Sequence, residues 1–357
     1  TTQISSAPEG TALGANETLS ASGIALGNRV KMRGYIDFIL GYDDEDNSDQ
    51  NEQFTTAGDI DFLFDLSPIT AEAHIAMSTD DNSSSSLATG GKGLELEQLF
   101  ARYSVNDVFN FSFGRQLTAL GYEADEAPGL YAVTNAYVLG SPHINSDGTD
   151  LGLAPANTRR NYVDGLRANF NNGQFGFTFG LHDGYWALNH FDGDDLALDL
   201  AASVMIIPGL EARLGYAHQE VDKTNPLGVT VDSDISQFNM WLGYNPNDLT
   251  LALEYDNYDI LETDDYWSLM LLASYQFTDW FAASLRYSHE DYERSVAGVH
   301  DETDADRITL ALLFTVTDNF FFNVEYSTTS VDNSVVGGLL DDQGDYNEFY
   351  IEGLITY

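Results

Sequence analysis

The chain has 357 residues, of which 57 are acidic and 14 basic, giving a net charge of −43. That balance argues against nucleic acid as a partner, because the few Lys and Arg are scattered from Arg29 to Arg307 and form no basic patch. Disorder is out of keeping with 43% hydrophobic residues, 21 Phe, 20 Tyr and 4 Trp, and the absence of cysteine removes disulfides, thiolate ligands and thiol nucleophiles.

Residues 1–28 begin Thr1-Thr2-Gln3-Ile4-Ser5-Ser6, are rich in Ser, Gly and Ala, and show no alternation. They lack a start Met, a basic n-region and an apolar h-region, so they read as the extended start of an exported, processed chain. A membrane helix needs about 18 or more nearly uninterrupted apolar residues, and the best stretch, from Leu196 to Leu210, is broken by Asp199 and Pro208.

From Val30 onward the pattern changes to a period of two. Val30, Met32, Gly34, Ile36, Phe38 and Leu40 lie on one parity, and Lys31, Arg33, Tyr35 and Asp37 on the other. That is the mark of a strand with one apolar and one mostly polar face. The alternation predicts sixteen strands, at 30–42, 56–66, 70–78, 95–104, 108–116, 162–171, 174–183, 196–206, 210–220, 235–245, 248–258, 266–277, 280–290, 306–316, 319–328 and 346–357.

The connections alternate in length. Short ones centre on Ser67-Pro68-Ile69, Val105-Asn106-Asp107, Asn172-Gly173, Ile207-Pro208-Gly209, Pro246-Asn247, Thr278-Asp279 and Thr317-Asp318, with the residues that tight hairpins use. Longer, mostly acidic ones cover 43–55, 79–94, 117–161, 184–195, 221–234, 259–265, 291–305 and 329–345, the sixth being the shortest. A soluble sandwich has no reason to segregate turns this way. An antiparallel up-and-down barrel in the outer membrane does, with short periplasmic turns and long extracellular loops. Outward-parity aromatics fall at both ends of the strands: Phe175, Tyr244, Phe277, Phe281 and Phe320 near the turns, and Tyr42, Tyr255, Trp267, Tyr287 and Phe349 near the loops. The expected organisation is an N-terminal extended segment, 1–28, followed by an all-β transmembrane barrel, 29–357.

Sixteen strands leave a lumen too wide for side chains to fill. Parity places Arg33, Arg102, Arg167, Arg213 and Arg286 on its wall, since an Arg facing lipid at mid-membrane would cost about 2–4 kcal/mol. Arg115 joins them only if Gly114 makes a bulge. The plain structural reading is that these arginines pair with lumen carboxylates such as Asp61 or Glu72.

The strand count, the loop order, the long third loop (117–161) and the terminal aromatic Tyr357 together resemble the general porins of Gram-negative outer membranes, over nearly the whole chain. The run Gly114-Arg115-Gln116-Leu117-Thr118-Ala119-Leu120-Gly121-Tyr122-Glu123 also looks like the start of the third loop in β-barrel porins of environmental bacteria. The resemblance implies a third loop folded into the lumen, with acidic residues (here Glu123, Asp125 and Glu126) facing a basic wall across a constriction. It further implies a homotrimer in the bacterial outer membrane, with membrane lipids, small hydrophilic solutes and cations as its partners. Ala71 and Ala73, small residues on the outward parity, suit a contact between subunits, which the second long loop, Ser83 to Ser86, extends.

Acidic loops predict a preference for cations. Oxygen-rich runs, Asp43, Asp44 and Asp46 or Asp341, Asp342 and Asp345, offer ligands to Ca²⁺ or Mg²⁺, although none has EF-hand spacing; a solvated acidic surface is the simpler reading. No cofactor is expected otherwise. Three rivals remain. A substrate-specific channel would use lumen aromatics such as Tyr35, Trp241 and Tyr350. An outer-membrane enzyme would use His74, His182, His218 or His289, but no Ser/His/acid spacing is recognisable. A soluble secreted Ca²⁺-binding β-protein is the third.

Overall fold

The computed structural model describes residues 24–44, 52–78, 93–124, 126–144, 150–154, 161–186, 196–224, 230–296, 299–335 and 344–357. In chain order its strands are β1 (Ile24–Ala25), β2 (Val30–Asp43), β3 (Glu52–Leu66), β4 (Ile69–Ser78), β5 (Glu95–Asn106) and β6 (Phe109–Leu117). The loop strands β7 (Ser141–Ile144) and β8 (Asp150–Ala154) come next. Then follow β9 (Tyr162–Asn171), β10 (Phe175–His182), β11 (Ala197–Ile207), β12 (Leu210–Thr224), β13 (Thr230–Tyr244) and β14 (Leu249–Ile260). The chain ends with β15 (Asp264–Thr278), β16 (Phe281–Val296), β17 (Val299–Thr317), β18 (Phe320–Val335) and β19 (Gly344–Thr356).

Each strand from β2 to β6 pairs antiparallel with its successor, β6 pairs with β9, the series continues to β19, and β19 pairs with β2. The ring is thus closed and made of the sixteen predicted strands; β7 and β8 form a separate hairpin. Closure leaves no open sheet edge, as a membrane-spanning sheet requires. The seam is finished by β1, whose Ile24 and Ala25 pair with Met32 and Lys31 just beyond the point where Tyr357 bonds Gly34.

Alternation produced these strands, and burial follows it. Along β10, Phe175, Phe177, Phe179 and Leu181 are exposed, whereas Gly176, Thr178, Gly180 and His182 are buried. The same parity leaves Leu214, Phe238, Leu251, Leu271, Leu285 and Leu310 exposed around the outside. A continuous apolar belt of this kind would drive aggregation in water and is stable against lipid. Aromatics rim the belt at the turn end, where Phe277 stacks on Phe281 (5.5 Å) and Phe281 on Phe314 (5.2 Å). At the loop end Tyr255 lies 6.2 Å from Trp267, and Trp267 4.8 Å from His289. Tight turns follow local geometry: at Gly173 (φ +85°) and Gly209 (φ +84°) the chain takes a left-handed conformation that strains any side chain.

Three expectations about the connections are corrected; of 221–234 only 225–229 falls between β12, which runs to Thr224, and β13, which starts at Thr230. Most of 291–305 is strand, since β16 runs to Val296 and β17 starts at Val299. These strand ends carry acidic residues on both parities (Asp291 and Glu293 beside Glu290; Asp301 beside Glu302 and Asp304), so the sequence shows no apolar parity and the period-two signal vanishes there. The connection predicted at 259–265 shrinks to a turn between Ile260 and Asp264, with Leu261 and Glu262 at φ 54° and 60°.

Candidate functional site

The described residues of the third loop from Leu117 to Gly140 lie inside the barrel. The loop backbone leaves the sheet after Leu117, and amides that lose their strand partners need other acceptors wherever the loop is packed against the wall. The wall supplies them. Asp199 on β11 accepts the N–H of Ala119 (3.2 Å), Asn239 on β13 that of Gly121 (3.3 Å), and Glu254 on β14 that of Tyr122 (2.6 Å). Arginines serve the carbonyls: Arg167 donates to Leu117 O (2.8 Å) and Arg213 to Ala119 O (2.8 Å).

Further along, Glu325 on β18 accepts the N–H groups of Val133 (2.6 Å) and Thr134 (2.9 Å) as well as the Thr134 hydroxyl (2.5 Å). Glu290 on β16 accepts those of Val138 (2.5 Å) and Leu139 (3.1 Å), and Tyr266 donates its hydroxyl to Gly140 O (3.1 Å). Apolar packing seals the same surface. Tyr122, Tyr131, Ala136 and Tyr137 bury against Trp241, Ala252, Met270 and Leu272, and Ala132 against Ala282, Ala311 and Leu313. The covered sector of the wall therefore runs from β11 to β18.

The described residues among those singled out from the sequence take the following places. Glu123 accepts from Arg286 Nη1 (2.6 Å) and from the N–H of Ala136 (2.7 Å), so it ties two limbs of the loop to β16. Arg286 also donates to Thr134 O (2.7 Å) and Asn135 O (2.8 Å), and its side chain is 1% exposed. Glu126 reaches the opposite wall, with Oε1 3.6 Å from His74 Nδ1 on β4. Asp125 lies outside the described residues. Arg33 and Arg102 stand on the wall that the loop does not cover, and their side chains keep 29% and 19% exposure. Arg33 Nε is 2.7 Å from Asp61 and Arg102 Nη1 3.8 Å from Glu72, the lumen carboxylates named as their plain structural partners. Arg167 lies 3.2 Å from Asp199.

Arg115 is a correction. Gly114 does take φ +117°, but pairing runs without a shift through Gly114 and Arg115 toward β9 and from Leu99 to Arg115 toward β5. Without a bulge Arg115 keeps the outward parity of Phe111 and Phe113, and it lies 3.4 Å from Asp164 near the loop-side rim. Among the acidic-loop candidates, Asp44 accepts the backbone and side-chain N–H groups of Asn347 (2.5 and 3.0 Å) and Asp345 the hydroxyl of Ser330 (2.5 Å). Asp43 ends β2; Asp46, Asp341 and Asp342 lie outside the described residues.

The sequence reading missed the carboxylates that hold the loop, Asp199, Glu254, Glu290 and Glu325, and also Arg307, which lies 2.7 Å from Glu348 and 3.6 Å from Glu325. All occupy the polar parity of their strands, the signal that placed the other arginines. Lumen-facing position was therefore readable, but the partner was not, because it lies as many as 192 residues away.

No protein-family profile matches the chain, and no curated protein matches it in sequence. Solved structures do match in shape. OmpF of Salmonella typhi, in complex with daunomycin, aligns with a TM-score of 0.64 at 13% identity, over 93% of this chain and 98% of that one. An anion-selective porin from Comamonas acidovorans gives 0.61 at 15% identity, over 92% and 99%. OmpT, an outer membrane protein of Vibrio cholerae in a trimer form, gives 0.57 at 14% identity, over 92% and 99%. Likeness across so much of both chains shows that this chain has the fold of the outer-membrane porins: a closed antiparallel barrel of sixteen strands.

Proposed function

We propose that the protein is a diffusion channel of the bacterial outer membrane that passes ions and small hydrophilic solutes, prefers cations, and carries out no catalytic step. The observation that carries this reading is the third loop itself. Held by wall carboxylates from β11 to β18, it narrows a lumen that sixteen strands would otherwise leave wide, while the wall bearing Arg33 and Arg102 stays partly exposed beside it.

Charge supports the cation preference. Five of the wall arginines are matched by acids, Arg33 by Asp61, Arg102 by Glu72, Arg167 by Asp199, Arg286 by Glu123, and Arg307 by Glu325 and Glu348, while Arg213 serves the Ala119 carbonyl. The long-loop rim adds Asp291, Glu293, Glu302 and Asp304. Such a surface concentrates cations at the mouth. The fold alone does not set the sign, since the Comamonas relative is described as anion-selective.

A homotrimer is part of the proposal. Ala71 and Ala73 face outward from β4 between buried Thr70, Glu72 and His74, giving a low surface suited to another subunit, and one structurally similar chain adopts a trimer form. The substrate-specific alternative loses one of its aromatics, because Trp241 is 2% exposed and covered by Tyr122 (rings 5.5 Å apart). The test is the zero-current potential across a planar bilayer holding the purified protein under a KCl gradient. A potential of the sign set by K⁺ permeation is expected, and one of the opposite sign overturns the cation preference.

A further inference from the structure

Asp59 and Asp61 project from β3 onto the lumen face, and the strand register sets Asp61 directly opposite His74 on β4. Glu126 arrives from the third loop, so that one donor atom from each of the four lies within 4.8 Å of every other. His74 Nδ1 is 2.8 Å from Asp61 Oδ1 and 3.6 Å from Glu126 Oε1. A cation bound at about 2.0–2.2 Å spreads its ligands over roughly 3–4 Å, so the four atoms need to draw in only slightly.

A second observation points to a ligand. Asp59 is 1% exposed, and neither of its carboxylate oxygens receives a well-aimed hydrogen bond. A buried carboxylate in that condition is costly as an anion unless it takes up a proton or a positive charge meets it. The surroundings are arranged for one. Arg33 is paired with Asp61 through Oδ2 (2.7 Å), while Oδ1 of the same carboxylate faces His74. Glu72 Oε2 sits 3.2 Å from His74 Nε2, which matches the carboxylate–imidazole arrangement that orients a ligating histidine through its far nitrogen. Gln98 Nε2, 3.3 Å from His74 Nδ1, is the group that a cation would displace.

We propose that Asp59, Asp61, His74 and Glu126 form a binding site for one divalent first-row transition-metal ion. One imidazole and three carboxylates suit Zn²⁺ or Mn²⁺; Mg²⁺ keeps its waters and does not favour an all-protein cage. Because three ligands belong to β3 and β4 and the fourth to the loop, the ion ties the loop tip to the wall opposite its other anchors. Binding requires a neutral His74 and so releases a proton when the imidazole starts out charged.

The experiment is calorimetric titration of Zn²⁺ into the chelator-treated full-length barrel in detergent, with Mg²⁺ as the comparison ion. Wild-type protein is expected to bind one Zn²⁺ per chain, with at least tenfold lower affinity in Asp59→Asn and in Glu126→Gln and no such site in His74→Gln. A rim variant, Asp291→Asn with Asp304→Asn, is expected to keep the site. Glu126→Gln changes only a loop residue, and a heat-modifiable band on electrophoresis verifies that each variant is a folded barrel. Equal Zn²⁺ binding in the wild type and in Asp59→Asn and Glu126→Gln overturns the proposal. So does the absence of a stoichiometric site in the folded wild type, which would leave a protonated His74 as the charge that holds the carboxylates. The readout involves no ion flow, so its outcome is separate from that of the channel reading.

Discussion

Replacing Arg286 by methionine tests the anchoring of the third loop most sharply. The guanidinium reaches Glu123, the carbonyls of Thr134 and Asn135, and the Thr134 hydroxyl, with only 1% of the side chain exposed. Methionine fills much of the volume but leaves the Glu123 carboxylate without its cation and two loop carbonyls without their donor. Removing one partner of a buried ion pair costs about 3–5 kcal/mol. The anchors at Glu325 and Glu290 persist, so the lower end of that range, about 3 kcal/mol, is the fair figure for detachment of residues 131–139. By the usual factor of ten per ~1.4 kcal/mol, detached loop becomes about 100-fold more populated. Amide hydrogen exchange by mass spectrometry, on peptides holding Val133, Thr134, Ala136 and Val138, reads this as a loss of protection of that size. Peptides from β4 and β10 serve as unaffected controls. Unchanged protection at 131–139 in a folded variant would refute the claim that Arg286 holds the loop.

Three further outcomes follow from the same structure. Leu285→Arg, which places a charge on the lipid belt between outward Ala283 and Tyr287, lowers folding stability in lipid vesicles by about 2–4 kcal/mol near mid-membrane, whereas Leu285→Val has a small effect; equal costs would contradict the outward assignment. Arg33→Ala removes a positive charge from the exposed wall and is expected to shift the zero-current potential further toward K⁺, and no shift would remove Arg33 from the ion path. At the rim, partial burial first, then the charges of Asp291 and Glu302, raise the Asp304 carboxyl above its ordinary 3.8. The folded state therefore binds this proton more readily than the unfolded one, and stability rises as pH falls through the raised value until about 3.8. Protection at the ends of β16 and β17, with the intrinsic pH dependence of amide exchange divided out, is then greater near pH 4 than at pH 7.5 in the wild type, a difference that Asp304→Asn reduces.

The membrane-spanning part of each strand was legible because lipid on one side and polar lumen on the other enforce a strict two-residue period. Phe175 to His182 shows that rule in full. Beyond the aromatic rim the rule lapses, which is why Asp291 to Val296 read as loop and is strand. Parity also carried the lumen arginines, and it would have corrected Arg115 had Gly114 not suggested a bulge. What local pattern could not carry is the pairing across the lumen. Glu325 meets Thr134 and Glu254 meets Tyr122 only after the ring has closed, and Asp59, Asp61 and His74 become a cluster only through the β3–β4 register and the arrival of Glu126.

Single-channel conductance tests the central claim, that the third loop constricts an open pore. The wild-type protein is compared with a variant in which residues 123–139 are replaced by a short Gly-Ser link, which removes Glu123, Glu126 and the limb bound to Glu325 and Glu290. Steady steps in the wild type, and several-fold larger steps in the variant, are the predicted result. A wild-type protein that inserts without conducting, or a variant whose steps are no larger, would contradict it.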